Sequence, residues 1–223
     1  MAGNNLSIRS SQIIAPNGVG ALVEIEGQSF YIAGTREWQN TFSLKNLNSL
    51  GKNDTEYKSS PQIELMSNFE INSSLPLEKK NKNFNNYITP KISFKFNPGD
   101  MKNYSSSTEK KINIDNVFLN NRLGISDSYE AGRSLTLGVE YKKESLEDIN
   151  KYFEMKLATV LRDKEEKNIP KISTINRKSS NVFGSVSNNF SKYLNVKYNF
   201  AIDNDLNTLE YNNINASVSL NNF

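Results

Sequence analysis

Apolar and polar residues alternate along most of the chain with the period of a β-strand. In the segment from Gln62 to Ser74, polar residues fill most even positions, and the odd positions carry Ile63, Leu65, Ser67, Phe69, Ile71 and Ser73. Successive side chains of a strand point to opposite faces, so this segment predicts a strand with one apolar and one polar face. A helix would mix both kinds of residue on every side.

The same alternation recurs in five further segments, at residues 88–96, 133–143, 151–161, 194–203 and 213–220. Strands of water-soluble proteins have about five or six residues. Strands that cross a membrane need roughly nine to eleven, a length that several of these segments reach. The pattern therefore predicts an all-β fold, a portion of an antiparallel up-and-down transmembrane β-barrel with roughly ten to twelve strands. This number of strands is compatible with a closed barrel and with an incomplete one.

The connections and the strand ends agree with a barrel. Short turns alternate with long polar loops, of which 72–86 and 162–178 are the clearest, and outer-membrane barrels have short turns on one side and long loops on the other. A soluble sandwich has such connections too. Aromatic residues near strand ends fit an interfacial girdle or ordinary strand packing: Tyr87, Phe96, Tyr141, Tyr152 and Tyr193.

Two segments are predicted separately. Residues 1–40 are predicted to be an N-terminal β-hairpin segment with a tight turn near Gly27-Gln28. The pattern leaves open how this segment relates to the barrel portion at 41–223. The segment from Ser145 to Tyr152 has the capping residues of a short helix, but a simple turn explains it as well.

Composition restricts the class of protein. The hydrophobic fraction is 36% and the mean hydropathy is −0.61, too polar for a helical membrane protein. A barrel is compatible with these values because only every second strand residue faces lipid. The net charge of +3 is scattered, so nothing indicates nucleic-acid binding. The sequence has no cysteine and no histidine, which excludes disulfides, Cys-type zinc sites and histidine-based catalysis.

Motifs with catalytic or binding chemistry are weak. Gly18-Val19-Gly20 lacks the following helix that a nucleotide-binding loop requires. The segment 203–207 resembles a calcium loop but lacks its glycine and its terminal glutamate, so a turn is the better interpretation. We therefore predict no catalytic residue, no metal site and no cofactor, and that the protein is not an enzyme.

One segment carries more than alternation. Residues 117–141 contain an Asn-Arg-Leu-Gly turn, an aspartate, a glutamate three residues on, a glycine and a Leu-Thr-Leu-Gly strand. This resembles the signature of the LptD family, lipopolysaccharide-assembly proteins of the outer membrane, and the resemblance extends over about residues 42–223. The matching positions are Asn121, Arg122, Leu123, Gly124, Asp127, Glu130, Gly132, Leu135, Thr136 and Gly138.

These motif residues are expected to be structural. Gly124 and Gly132 permit tight turns or bulges. Arg122, Asp127 and Glu130 are expected to form a charge cluster, on the lumen side or at the rim, that orders a long loop; unpaired surface charges are the alternative.

The resemblance implies insertion of lipopolysaccharide into the outer leaflet of the cell outer membrane, without bond chemistry. It implies lipopolysaccharide, outer-membrane lipids, a plug lipoprotein and a periplasmic bridge protein as partners, and no nucleic acid. The alternatives are another outer-membrane barrel, a porin or receptor, and a soluble β-sandwich that acts as a binding module. Residues 1–7 do not form a signal peptide, so we expect the chain to be a fragment that holds middle strands of a larger barrel wall.

Overall fold

The alternating segments form one antiparallel sheet in the computed structural model, which describes residues 7–15, 18–26, 29–31, 37–49 and 62–219. The sheet has twelve strands. They are β1 (Ser7–Ala15), β2 (Gly18–Glu26), β3 (Ser29–Tyr31), β4 (Glu37–Ser49), β5 (Gln62–Ser74), β6 (Leu77–Lys80), β7 (Phe84–Asn97), β8 (Gly132–Ser145), β9 (Tyr152–Arg162), β10 (Val182–Ser191), β11 (Leu194–Ile202) and β12 (Leu209–Val218).

The strands follow one another in an up-and-down order. The order across the sheet is β1-β2-β4-β5-β7-β8-β9-β10-β11-β12, with β3 beside β4 and β6 beside β7. Within the described ranges no pairing joins β1 to β12, so the sheet is open. The prediction of an all-β, up-and-down, incomplete barrel portion is confirmed. No helix of the described residues is long and apolar enough to cross a membrane.

The structure describes the candidate helix at Ser145 fully and the N-terminal segment in part. The candidate helix that begins at Ser145 is a turn, in which the Ser145 hydroxyl accepts hydrogen bonds from the backbone amides of Glu147 and Asp148. The described pairings join β2 to β1 and β4, and β3 to β4. The Gly27-Gln28 turn lies outside the described residues, and the division at residue 40 stays a prediction.

The two longest connections among the described residues lie at one end of the sheet. Segments 98–131 and 163–181 join β7 to β8 and β9 to β10 at one end, which we call the loop end. Segments 146–151 and 192–193 lie at the opposite end, the turn end. The long-loop side of an outer-membrane barrel is extracellular.

The two faces of the sheet have the reverse of the usual polarity. On one face, the inner face, the buried strand side chains are largely polar: Thr41, Ser43, Asn68, Glu70, Ser93, Lys95, Asn97, Ser134, Thr136, Arg162, Ser185 and Ser187. The other, outer face exposes large apolar side chains: Phe42, Leu65, Phe69, Ile88, Ile92, Phe94, Leu137, Leu161, Phe190, Leu194, Ile214 and Val218. A sheet in water would place these two sets the other way round.

The long loops fold back over the inner face and enclose a small apolar core. Loop residues Ile112, Val117 and Ile175 are at most 6% exposed, and they belong to one cluster with Val160 and Phe183 of the inner face. The segments 98–131 and 163–181 therefore cover the inner face instead of extending away from the sheet. This packing brings the motif residues of segment 117–141 against the strands.

Candidate functional site

Arg122 is the centre of the polar contacts between loop 98–131 and the sheet. It is 3% exposed. Its guanidinium donates to both carboxylate oxygens of Glu130, over 2.7 Å from Nε and 2.5 Å from Nη2. It also donates to the hydroxyls of Ser134 and Thr136 on β8, each over 2.9 Å. Such a two-pronged arginine–carboxylate pair fixes the orientation of both groups.

Glu130 connects this loop to a third element. Arg162, the last residue of β9, donates to Glu130 and to the carbonyl oxygen of Ala131. Burial raises the pKa of the Glu130 carboxyl, but the charges of Arg122, Arg162 and Lys95 and the hydrogen bonds from Arg122 outweigh burial and lower this pKa to about 2. Glu130 is therefore ionised at any physiological pH.

Lys95 and Glu70 extend the cluster across the sheet. Lys95, 4% exposed on β7, donates to the carbonyl oxygens of Leu119 and Asn120 in the loop. Its Nζ lies 3.6 Å from Oε1 of Glu70, which is fully buried on β5. That oxygen also accepts from the Ser93 hydroxyl over 3.2 Å. The second carboxylate oxygen of Glu70 has no hydrogen-bond partner in the described part of the chain.

The strand register places the three charged strand residues Glu70, Lys95 and Arg162 in one row across the sheet. Glu70 is opposite Lys95, Lys95 is opposite Ser134, and Ser134 is opposite Arg162. We call the five charged residues Glu70, Lys95, Arg122, Glu130 and Arg162 the latch. Arg122 and Glu130 of the loop contact β8 and β9, Lys95 of β7 contacts the loop backbone, and Glu70 of β5 pairs with Lys95.

A second, uncharged contact ties the same loop to β4. The Asn68 side-chain amide donates to Oδ1 of Asn120 over 2.7 Å, and the Asn120 amide donates to the Ser43 hydroxyl over 3.2 Å. A cavity of about 10 Å³ remains beside Lys95 and Arg122, about the size of one water molecule.

The other motif residues shape the loop or the strand next to it. Asn121 closes a turn with Ile125, donating to its carbonyl oxygen and accepting from its amide. Gly124 and Gly132 have φ values of +61° and +78°, which favour glycine. Leu123 is buried in the core, 4% exposed. Leu135 lies on the outer face of β8.

Gly138 and Asp127 have separate surroundings. A Cβ atom at Gly138 would lie 2.6 Å from the ring of Phe118, so the glycine leaves room for this loop ring on the inner face. Asp127 is not a member of the latch and contacts Lys102 over 3.1 Å and the Tyr104 hydroxyl. Burial raises its pKa, but the hydrogen bonds from Tyr104 and Lys102 lower it overall.

The predicted aromatic girdle is divided between the faces. Phe96 and Tyr141 lie on the outer face, where Phe96 contacts the Arg133 guanidinium at 5.3 Å from the ring centre. Tyr87 and Tyr152 lie on the inner face, since they alternate with outer-face neighbours; Lys142 of that face lies 4.9 Å from the Tyr152 ring centre. Because Tyr87 and Tyr152 lie on the polar inner face, they do not belong to an aromatic girdle on the outer face.

The latch is chemically suited to hold a loop. Its two carboxylates each pair with at least one of its three cations in a buried site. No group of three or more potential metal-binding side chains occurs in the described residues. The sequence patterns identified Arg122 and Glu130 but missed Glu70, Lys95 and Arg162, because a charge on the polar face of a strand has the same pattern whether it faces water or a folded loop.

Residues 27–223 match the LptD family, described as LPS transport system D, and no curated protein matches the chain. The matched residues include the whole of loop 98–131 and every member of the latch. The family is an outer-membrane family with a role in transport and assembly. Because the match covers far more than half of the chain, this protein belongs to the LptD family.

Proposed function

We propose that this chain forms part of the wall of an outer-membrane barrel that inserts lipopolysaccharide into the outer leaflet. The observation that carries the proposal is the reversed polarity of the sheet, with buried polar side chains on the inner face and exposed apolar side chains on the outer face. A lipid-facing outer surface and a polar lumen explain both faces at once.

The height of the apolar band supports this orientation. On the outer face of β8, Arg133 and Lys143 flank Leu135, Leu137 and Val139. Ten strand residues span about 34 Å, and a strand tilted by roughly 45° crosses about 25 Å of membrane thickness. Both cations contact outer-face aromatic rings, Arg133 that of Phe96 and Lys143 that of Phe84 at 4.2 Å. Aromatic residues are typical of the two membrane interfaces.

Within this function, the motif residues hold loop 98–131 over the lumen. The latch and the turn glycines fix the loop against the inner face, so the loop narrows the polar passage at the extracellular end. The substrate passes along the inner face, and no bond is made or broken by this chain. A plug lipoprotein and a periplasmic bridge protein remain the expected partners of the family barrel.

Adjacent residues of β11 provide the test. Asn199 faces the lumen and Tyr198 faces outward. In two variants, a photo-crosslinking amino acid replaces either Asn199 or Tyr198. Each variant is reconstituted, together with the plug lipoprotein and the periplasmic bridge protein, in vesicles that contain lipopolysaccharide. We expect the Asn199 probe to capture lipopolysaccharide and the Tyr198 probe to capture mainly phospholipid. Equal capture of lipopolysaccharide from both positions would contradict the proposal.

The two alternative functions predict other results. A porin or receptor barrel would give phospholipid at Tyr198 but no lipopolysaccharide at Asn199. A soluble β-sandwich would stay in solution without detergent and capture neither lipid. The single open sheet and its exposed apolar face disfavour the sandwich, because a sandwich buries that face against a second sheet.

A further inference from the structure

A larger cavity lies on the inner face at the loop end, away from the latch and next to β12. Its volume is about 280 Å³, close to the lower end of the range for small-molecule pockets. Its floor is apolar and includes Ile112, Phe183 and Ala201, which are 6%, 2% and 5% exposed.

An irregularity of β12 turns a carboxylate into this cavity. Ala201 pairs with Tyr211 and Ile202 pairs with Leu209, so Glu210 is an extra residue in β12. A β-bulge of this kind redirects side chains. The Glu210 carboxylate accepts a hydrogen bond of 2.7 Å from the side-chain amide of Asn181, on the inner side of the sheet.

A second irregularity lines the same cavity. Thr174 has φ of +59°, a left-handed conformation that β-branched residues rarely adopt. Its hydroxyl accepts a hydrogen bond of 3.2 Å from the Asn181 backbone amide. The bulge at Glu210 and the left-handed Thr174 thus both orient Asn181.

Asn181 has an unused acceptor. The residue is 2% exposed, and its side-chain carbonyl oxygen has no hydrogen-bond partner among the described residues. Buried polar atoms without a partner are rare and call for an explanation, and the residue that carries this one lines the cavity.

The chemistry of the walls selects the class of ligand. Lys111 and Glu210 balance each other in charge, which disfavours a free phosphate or a cation. Amide, hydroxyl and carboxylate groups surround an apolar floor, and Tyr211 adds an aromatic ring. A sugar ring has a matching rim of hydroxyls and an apolar C–H face.

We propose that this cavity binds one sugar ring of the saccharide that passes along the inner face. The proposal rests on the proposed function, since it assigns a subsite to the polysaccharide part of lipopolysaccharide. Asn181 and Glu210 are the hydrogen-bonding residues, and Tyr211 provides the ring contact.

The test measures binding of lipid-free lipopolysaccharide oligosaccharide to the full chain in detergent micelles, by saturation-transfer NMR. Glu210→Gln keeps the shape of the side chain but removes its charge, and we expect it to bind at least about tenfold more weakly. Glu165→Gln, in an exposed part of loop 163–181, is the matched control and keeps wild-type affinity. If Glu210→Gln does not fold, Tyr211→Leu replaces it, with the same expected loss.

Equal oligosaccharide affinity in the wild type, Glu210→Gln and Tyr211→Leu would overturn the proposal, as would preferential binding of inorganic phosphate. Insertion into vesicles is measured in parallel. A chain that inserts but has no Glu210-dependent sugar binding contradicts only the sugar site. A chain that binds sugar through Glu210 but does not insert contradicts only the membrane function.

Discussion

Each charged residue of the latch depends on an oppositely charged partner in a buried position. Glu130 compensates Arg122 and Arg162, both with side chains 1% exposed. Removing one partner of a buried pair leaves the other charge unpaired, which costs about 3–5 kcal/mol. The expected effects of single substitutions at the latch are correspondingly large.

The first prediction concerns Glu130→Gln. We expect it to lower the free energy of unfolding by about 3–5 kcal/mol, measured by urea denaturation of the chain in detergent micelles. Asp127→Asn is the matched control, because Asp127 is only partly buried and pairs with Lys102; it should cost at most about 1 kcal/mol. Similar losses in the free energy of unfolding of the two variants would show that the latch stabilises the fold no more than the partly buried pair of Asp127 and Lys102.

The second prediction concerns pH. The folded-state pKa of Glu130 is about 2, below the value of about 4.3 in an unfolded chain. Its ionised form therefore stabilises the fold above about pH 4.3, and this contribution, on the order of 3 kcal/mol, is lost as the pH falls toward 2. The wild type should lose more stability than Glu130→Gln across this interval, and parallel denaturation curves would contradict the assignment.

The third prediction uses the close approach at Gly138. Gly138→Ala places a methyl group against the Phe118 ring, where a Cβ atom would be 2.6 Å away, and should cost about 1–3 kcal/mol. Adding Phe118→Leu should recover part of the loss in a double-mutant cycle. Gly99→Ala, whose Cβ would meet a neighbour at 3.4 Å, is the control and should be nearly neutral. A loss at Gly138 that Phe118→Leu does not relieve would exclude the proposed clash.

At the scale of elements, loop 98–131 behaves as a folded part of the sheet. It contributes Val117, Leu123 and Ile125 to the apolar core, and Lys95 binds two of its carbonyl oxygens. Lys95 is therefore the strand residue through which the loop attachment can be weakened most directly.

The fourth prediction is that Lys95→Met releases this loop. Backbone amides of residues 117–123 should exchange hydrogen faster, because the loop loses its attachment to β7, and stability should fall because Glu70 is left buried and unpaired. The double variant Lys95→Met, Glu70→Gln should recover much of the stability but not the protection of the loop. Recovery of both would mean that Lys95 acts only by neutralising Glu70.

Six of the strands, β5, β7, β8, β9, β11 and β12, could be predicted from sequence, and the loop packing could not. β5 coincides with the predicted segment, since its alternation is nearly strict from Gln62 to Ser74. The inward fold of loop 98–131 depends on Arg162 and Lys95, which are distant in sequence and come into one row of the sheet, on either side of Ser134, only through the register. The resemblance of residues 117–141 to the family signature could locate Arg122 and Glu130. The other three residues of the latch could be found only from the pairing of strands across the sheet.

Across the whole molecule, the alternation of apolar and polar residues along each strand produces a sheet with two different surfaces. The even and odd positions of a strand separate a polar surface that loops cover from an apolar surface that stays exposed. The sequence pattern alone left the direction of the apolar face open, since a sandwich and a membrane barrel share it. Loops 98–131 and 163–181 cover the polar face, so the polar face is the inner one and the apolar face is the outer one.

The fifth prediction tests this arrangement in a bilayer. The sequence has no cysteine, so single cysteines can carry an environment-sensitive fluorophore along β8 without further changes. Labels at Leu137 and Val139 should be quenched strongly by lipids that carry a quencher deep in the acyl chains. Labels at Arg133 and Lys143 should respond to headgroup quenchers, since these positions flank a band of about 25 Å. A label at the inner-face Glu140 should respond to a water-soluble quencher instead. Strong quenching by deep lipids at both Val139 and Glu140 would show that the two faces do not separate lipid from lumen.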